Sequence, residues 1–246
     1  MLKFTARSHR GCRREKNEDR FYVPPENGPF LFAVADGMGG YAAGEVASSI
    51  AIELLEKKIN EQRQTIQQGD LQVCQLFLQE FIREANEEIL AAQRRNREFE
   101  GMGTTLTVIV LRDGELLVGH VGDSQVHIFS KEKCVQITED HSLVAVLVKS
   151  GEIDPEEAYT HPQRHLLTRA LGTVSSYKVD FYRSKPQCGD YILLCTDGLT
   201  SMLRPEQIRR IITGHPDLES AADELLKQAN NFGGLDNITF VLIQVC

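Results

Sequence analysis

Four aspartates carry the first chemical signal. Asp36, Asp123, Asp197 and Asp236 stand in "ADGMGG", "VGDSQ", "CTDGL" and "LDNITF", each at or beside the end of a strand-like run. Asp19, in "KNEDRF", joins them. Carboxylates at strand ends can converge on one rim of a sheet, where they repel one another and raise each other's pKa unless positive charge sits among them. Such a cluster suits hard divalent cations, which take oxygen ligands in octahedral geometry. Glycine beside the acid lets a backbone carbonyl turn toward an ion and lets a bulky substrate come close. Asp-Gly is also a common turn, so any one of these stretches taken alone reads as a loop. By itself the pattern leaves a metal site and a set of turns both open. A phosphate loop at "ADGMGG" is the weaker reading, because the stretch lacks the Lys-Ser/Thr ending of a P-loop and the spacing of a dinucleotide fingerprint.

The elements that must position these acids follow from periodicity. "FLFAVAD" is short, apolar and β-branched, the pattern of a buried strand ending at Asp36. Ala43, Val46, Ala47, Ile50, Ala51, Leu54 and Leu55 recur at three- and four-residue spacing and mark one face of a helix. Cys74, Phe77, Leu78, Phe81, Ile82, Ala85 and Ile89 mark a second, so the spacing predicts a helical hairpin. From Thr104 the period changes to that of strands, with Asp113-Gly114 as a tight-hairpin pair. "DYILLCTDG" repeats the strand-into-Asp-Gly pattern. A helix follows, with Pro205 near its start and Gly214 past its end, then another carried by Leu218, Ala221, Ala222, Leu225, Leu226 and Ala229. "NITFVLIQV" closes the chain as a strand. Runs of strands and blocks of helices without regular βαβ alternation predict an α+β fold.

Composition narrows the function classes. The 246 residues, 41% hydrophobic, suffice for a substantial core, and no Ser/Gly-rich or Pro-rich linker divides them, so a single domain over 1-246 is expected. A net charge of -8 argues against nucleic acid or an anionic membrane as the main partner, since both reward clustered Lys and Arg. The start lacks the apolar core of a signal peptide, and the longest aliphatic runs fall far short of the ~20 residues that span a bilayer. Six scattered cysteines with no C-x-x-C pair speak against a zinc site or redox dithiol and for reduced thiols, which places the protein in the cytoplasm. The sequence carries no oligomer signal, and a monomer is expected.

The stretches "GCRREKNEDRF", "VADGMGGYAAGEVAS", "GMGTTLTV", "VGHVGDSQVHIF", "ITEDHSLVAVLV", "HLLTRALG", "LLCTDGLTSML" and "GLDNITFVLI" occur in the order of the motifs of the metal-dependent serine/threonine protein phosphatases, the PPM or 2C family. The chain most closely resembles the compact bacterial members, over nearly its whole length. The resemblance implies a central antiparallel β-sandwich with helices on both outer faces and a two-metal centre in a cleft at one end. It implies that Asp36 bridges two manganese or magnesium ions and that the Gly37 carbonyl serves one of them. It places Asp197 and Asp236 on one ion, with Glu18 and Asp19 on the other side through direct or water-mediated contacts. Asp123, helped by Asp197, matches the position of a third, more weakly held ion. Arg14, four residues before Glu18, stands where the family has its phosphate-gripping arginine; a guanidinium fork suits two phosphate oxygens. The implied chemistry is hydrolysis of phosphoserine and phosphothreonine in proteins by a metal-activated water, reversing a serine/threonine kinase.

Three departures touch the chemistry. Met38 stands where many eukaryotic members carry a histidine proposed as general acid, so the leaving-group proton must come from water or another residue. Tyr41 stands where bacterial members often have histidine, and Gln125 replaces the usual arginine after "GDS". Both bear on substrate preference, not on the metal core. Residues 141-172 resemble the flap that borders the active site; Ser142, Gly151 and the Asp154-Pro155 and His161-Pro162 pairs predict a helix followed by a turn-rich loop. His161 and His165 read as surface histidines, with substrate contact as the alternative. A small-molecule phosphomonoesterase with the same centre and a non-catalytic phosphoprotein-binding module are the rival functions. The second is disfavoured because every metal acid is present.

Overall fold

A computed structural model of the chain describes residues 2–39, 43–173 and 178–246. Tyr41 therefore lies outside the described residues. The fold is α+β, built on two five-stranded antiparallel sheets. The first sheet runs, edge to edge, through Leu2–His9, Ile238–Val245, Tyr191–Cys195, Gln125–Phe129 and Cys134–Gln136. In the second the order is Asp180–Ser184, Glu115–Val121, Leu106–Arg112, Leu31–Ala35 and Arg20–Tyr22. A two-residue ladder joins Gly37–Met38 to Gly103–Thr104.

The sheets face each other, and the alternation of side chains along each strand explains why the strands read as unbroken apolar runs. In Leu31–Ala35, Phe32 and Val34 point into the layer between the sheets, while Leu31, Ala33 and Ala35 point outward under helices. Ile192 and Leu194 likewise meet Val241 and Ile243 in the inter-sheet layer, and Leu193 and Leu242 face the opposite helices. Burial on both faces removes the polar half of the strand pattern.

The predicted helical hairpin is Ala43–Glu61 and Leu71–Arg95, joined through the short helix Arg63–Gln68. Asp70 caps the second of these by accepting from the Gln72 and Val73 amides, both at 2.9 Å. On the other sheet lie Pro205–Gly214 and Leu218–Asn231. Gly214 closes the helix from Pro205 instead of lying beyond it. The Asp113-Gly114 turn is a two-residue hairpin with both residues at positive φ, 50° and 77°, between the paired Arg112 and Glu115. The result is helix, sheet, sheet, helix in four layers.

Between 141 and 172 the helix Leu143–Ser150 starts under a Ser142 cap and ends at Gly151, which is left-handed at φ 77°. A short helix, Pro155–Ala158, follows. Arg204, at the start of Pro205–Gly214, holds this segment to the body: its guanidinium stacks 3.2 Å from the centre of the Tyr159 ring and reaches Glu156 at 3.2 Å.

Candidate metal centre

Strand pairing brings the acids to one rim. Ala35 pairs with Arg20, and Leu106 with Val121, so Asp19, Asp36, Thr105 and Gly122 lie at the same end of the second sheet. In the first sheet Cys195 pairs with both Gln125 and Phe240, which sets Ser124, Thr196 and the Asp236–Asn237 approach at one end of that sheet. The turn 122–124 crosses from one sheet to the other and ties the two ends together. Antiparallel order explains why the acids alternate between strand exits (Asp36, Asp123, Asp197) and strand entries (Asp19, Asp236).

Burial and mutual charge dominate the rim. Asp36 and Asp197 are enclosed by protein on most sides yet keep part of their surface open. The Asp36 carboxyl is held well above the ordinary carboxylate range, first by burial and then by Asp19, Asp197, Asp123 and Asp236. Burial likewise lifts Asp123, with Asp197 next in effect, and Asp197 itself, with Asp236 next. Asp36 and Asp197 come within hydrogen-bonding contact of each other. Asp19, 1% exposed, is raised to about 7 by burial, although Thr196 Oγ1 donates to its Oδ2 at 2.9 Å. Its Oδ1 is buried with no hydrogen-bond partner. Glu18 is raised by burial and lies close enough to Arg14 for that guanidinium to oppose the shift.

These residues fit a divalent-cation site. Anionic oxygens gathered out of water repel one another, and a buried carboxylate oxygen without a donor is destabilising by about 1–3 kcal/mol or more; a hard cation answers both demands. No three His, Cys, Asp or Glu side chains among the described residues are drawn together tightly enough to hold an ion as they stand. The fit therefore rests on burial, shared charge and the unpartnered Asp19 oxygen.

The backbone around the acids is set by residues whose role periodicity does not announce. Thr105 Oγ1 accepts from the Asp36 amide and Thr104 Oγ1 donates to the Asp36 carbonyl, both at 2.9 Å. Asn237 Oδ1 accepts from the Glu18 amide at 2.8 Å, while its Nδ2 donates to the Arg10 and Lys16 carbonyls at 3.0 and 2.8 Å. Asn237 thus ties the segment that carries Arg14, Glu18 and Asp19 to the loop that carries Asp236. Thr104, Thr105, Thr196 and Asn237 all stand inside the stretches already singled out, one residue from an acid or in "GMGTTLTV"; adjacency was the only signal available.

The glycines beside the acids have a packing reason besides the expected one. A Cβ on Gly37 would overlap the Gly44 carbonyl at the start of the long helix and would lie 2.6 Å from the Glu18 carbonyl oxygen. One on Gly198 would overlap the Asn237 carbonyl oxygen. Glycine here lets three chain segments close on the acids.

Arg14 lies on the rim, but its Nη2 donates to Asp236 Oδ2 at 2.7 Å, with the arginine side chain 55% exposed. Met38 pairs in the small ladder and is half-buried. Gln125 turns its amide to Asp140 Oδ2 at 2.7 Å. His161 accepts from the Gln163 amide at 3.1 Å. His165 is exposed, yet it lines a cavity with Asp123 and Asp197 and stands near enough to Asp197 to favour that carboxyl's charged form.

A family model described as "Protein phosphatase 2C" matches residues 7–232. The chain is 37% identical over 240 residues to "Serine/threonine phosphatase stp" of Listeria monocytogenes, covering 97% of this chain and 94% of that protein. Its fold superposes on the serine/threonine phosphatase PstP/Ppp of Mycobacterium tuberculosis with a TM-score of 0.88 at 37% identity, covering 99% of this chain and 98% of that one. The catalytic domain of PstP in complex with two manganese ions matches with a TM-score of 0.85 at 35% identity, covering 100% of this chain and 99% of that one.

Proposed function

This chain belongs to the protein phosphatase 2C family, and from that membership we propose that it hydrolyses phosphoserine and phosphothreonine in proteins with the help of manganese or magnesium. The observation that carries the reading is the single rim on which burial and the neighbouring acids, Asp236 among them, raise the pKa of Asp19, Asp36, Asp123 and Asp197 around an unpartnered carboxylate oxygen. Divalent ions held there supply an acidified water and neutralise charge on the phosphoryl oxygens.

Roles for the side chains follow. Asp36, which feels all four other acids, would be the ligand shared between ions, with the Gly37 carbonyl next to it in the chain. Asp197 and Asp236 would hold one ion, and Glu18 and Asp19 would serve the other. Asp123 with Asp197 would hold a third, weaker ion. Arg14 is exposed, already at the rim, and grips two phosphate oxygens once it exchanges Asp236 for substrate. Met38 has no proton to give, so the leaving hydroxyl is protonated by water or by another side chain.

We read residues 1-246 as one phosphatase domain with a flap at 141-172, acting as a monomer in the cytoplasm on proteins phosphorylated by a cognate serine/threonine kinase. Six free cysteines suit a reducing compartment. Among the described residues no helix is long and apolar enough to cross a membrane. The test is hydrolysis of a phosphothreonine peptide with manganese, with magnesium and with chelator, beside free phosphomonoesters. Metal-dependent turnover that favours the peptide is expected. Binding of the peptide without turnover would make the protein a phosphoprotein-binding module, and turnover of free phosphomonoesters alone would make it a small-molecule phosphatase.

A further inference from the structure

The cavity that begins at Asp123 and Asp197 continues beneath the 141-172 segment to Asp140, enclosing about 560 Å³. Asp140 is surrounded by protein on most sides and opens part of its surface to this space. Two neutral amides hold its carboxylate: Gln125 Nε2 donates to Oδ2 at 2.7 Å and Gln136 Nε2 to Oδ1 at 2.8 Å. No ion pair reaches it among the described residues. Lys149, which lines the same cavity, places its ammonium on Glu139 at 2.5 Å. Burial pushes the Asp140 carboxyl up to about 7, and the neighbouring Asp197 and Glu139 push it the same way. Val148 and Tyr159 line the cavity as well and give it apolar surface.

A carboxylate out of water, held only by amides and facing further acids, favours a cation over any neutral group. Apolar surface beside it suits the methylene stem of a long basic side chain, whose head alone needs polar partners. Resting on the phosphatase reading above, we propose that this cavity is a subsite for a lysine or arginine flanking the phosphorylated residue of a protein substrate, with the cationic head on Asp140. Gln125 brings an amide and no charge to Asp140, so the compensating cation comes from the substrate. The subsite shares Asp123 and Asp197 with the metal centre, which confines the basic residue to within about three positions of the phosphoresidue, a reach of roughly 10 Å of extended chain.

The test uses the full chain with manganese and phosphothreonine peptides that carry lysine, arginine or glutamine at each position from three before to three after the phosphoresidue. The quantity read is the ratio of kcat/KM for the basic peptide to that for its glutamine counterpart. In the wild type the ratio should reach roughly tenfold at one position or more, the scale of a charge-assisted hydrogen bond. In Asp140→Asn, and separately in Gln125→Arg, it should fall toward one. A ratio near one at every position in the wild type overturns the proposal, as does a ratio that either folded variant leaves unchanged, because a purely structural role for Asp140 slows both peptides alike. If Asp140→Asn does not fold, the wild-type series and Gln125→Arg still decide. Absence of metal-dependent hydrolysis of the glutamine peptides would instead remove the phosphatase reading, and the subsite with it.

Discussion

At the scale of single residues, Arg14 and Asp123 separate substrate contact from structural support. Arg14 pairs with Asp236 while more than half exposed, so truncating it would remove the proposed phosphate fork and leave the acids in place. Arg14→Ala is expected to lower kcat/KM on a phosphopeptide by ~10²-fold or more, about 3 kcal/mol of transition-state stabilisation. Manganese affinity measured by calorimetry should stay within a few-fold of wild type; near-normal turnover would remove Arg14 from the phosphate. Asp123 is 9% exposed at the turn that joins the two sheets. An ion it shares with Asp197 would have few protein ligands and bind weakly. Asp123→Asn should therefore keep the two core ions but cut turnover on phosphoprotein sharply, with no rescue by micromolar manganese. A lowered melting temperature with unchanged kcat on the same preparation would show that Asp123 only shapes its turn.

At the scale of elements, His120 joins two strands to the segment that leads into the flap. Its Nδ1 lies 2.9 Å from Thr107 Oγ1 on the neighbouring strand, and its Nε2 lies 3.2 Å from the Glu139 carbonyl. The carbonyl can only accept, so Nε2 carries the proton and Thr107 donates to Nδ1. Burial, and then His141, its ring tilted 4.7 Å away, lower the His120 pKa from 6.5 to about 3. Between those values the unfolded chain binds a proton that the fold refuses. The neutral ring's contribution is thus complete above pH 6.5 and declines as pH falls toward 3, at a slope approaching 1.4 kcal/mol per pH unit. Denaturant melts of wild type and His120→Asn from pH 7.5 to pH 4 should converge as pH falls; parallel curves would exclude this histidine as the source. This junction was illegible in the sequence. The Asp113-Gly114 turn already sets Thr107 opposite His120, but that His120 also meets Glu139, 19 positions away, follows from packing that periodicity does not encode. The strands and helices themselves were legible because two-residue and three-to-four-residue spacings survive in a single sequence.

At the scale of the whole molecule, the sandwich is a device for bringing strand ends together. Asp19 and Asp236 are more than 200 positions apart in the chain, yet Asp236 is among the charges that raise the Asp19 carboxyl. The acids were legible because each ends or begins an apolar run and most have glycine beside them. Their partners were not, because a threonine or asparagine next to an acid looks the same whether it orients that acid or faces water. The proposed chemistry depends on Asp36 being shared by two ions on this rim. Calorimetric titration of manganese into wild type and Asp36→Asn, with phosphopeptide turnover measured on the same samples, tests it most directly. Two tightly bound ions per chain are expected in the wild type, and in the variant loss of tight binding at both sites together with loss of turnover. Two tightly bound ions in an inactive Asp36→Asn protein would contradict it.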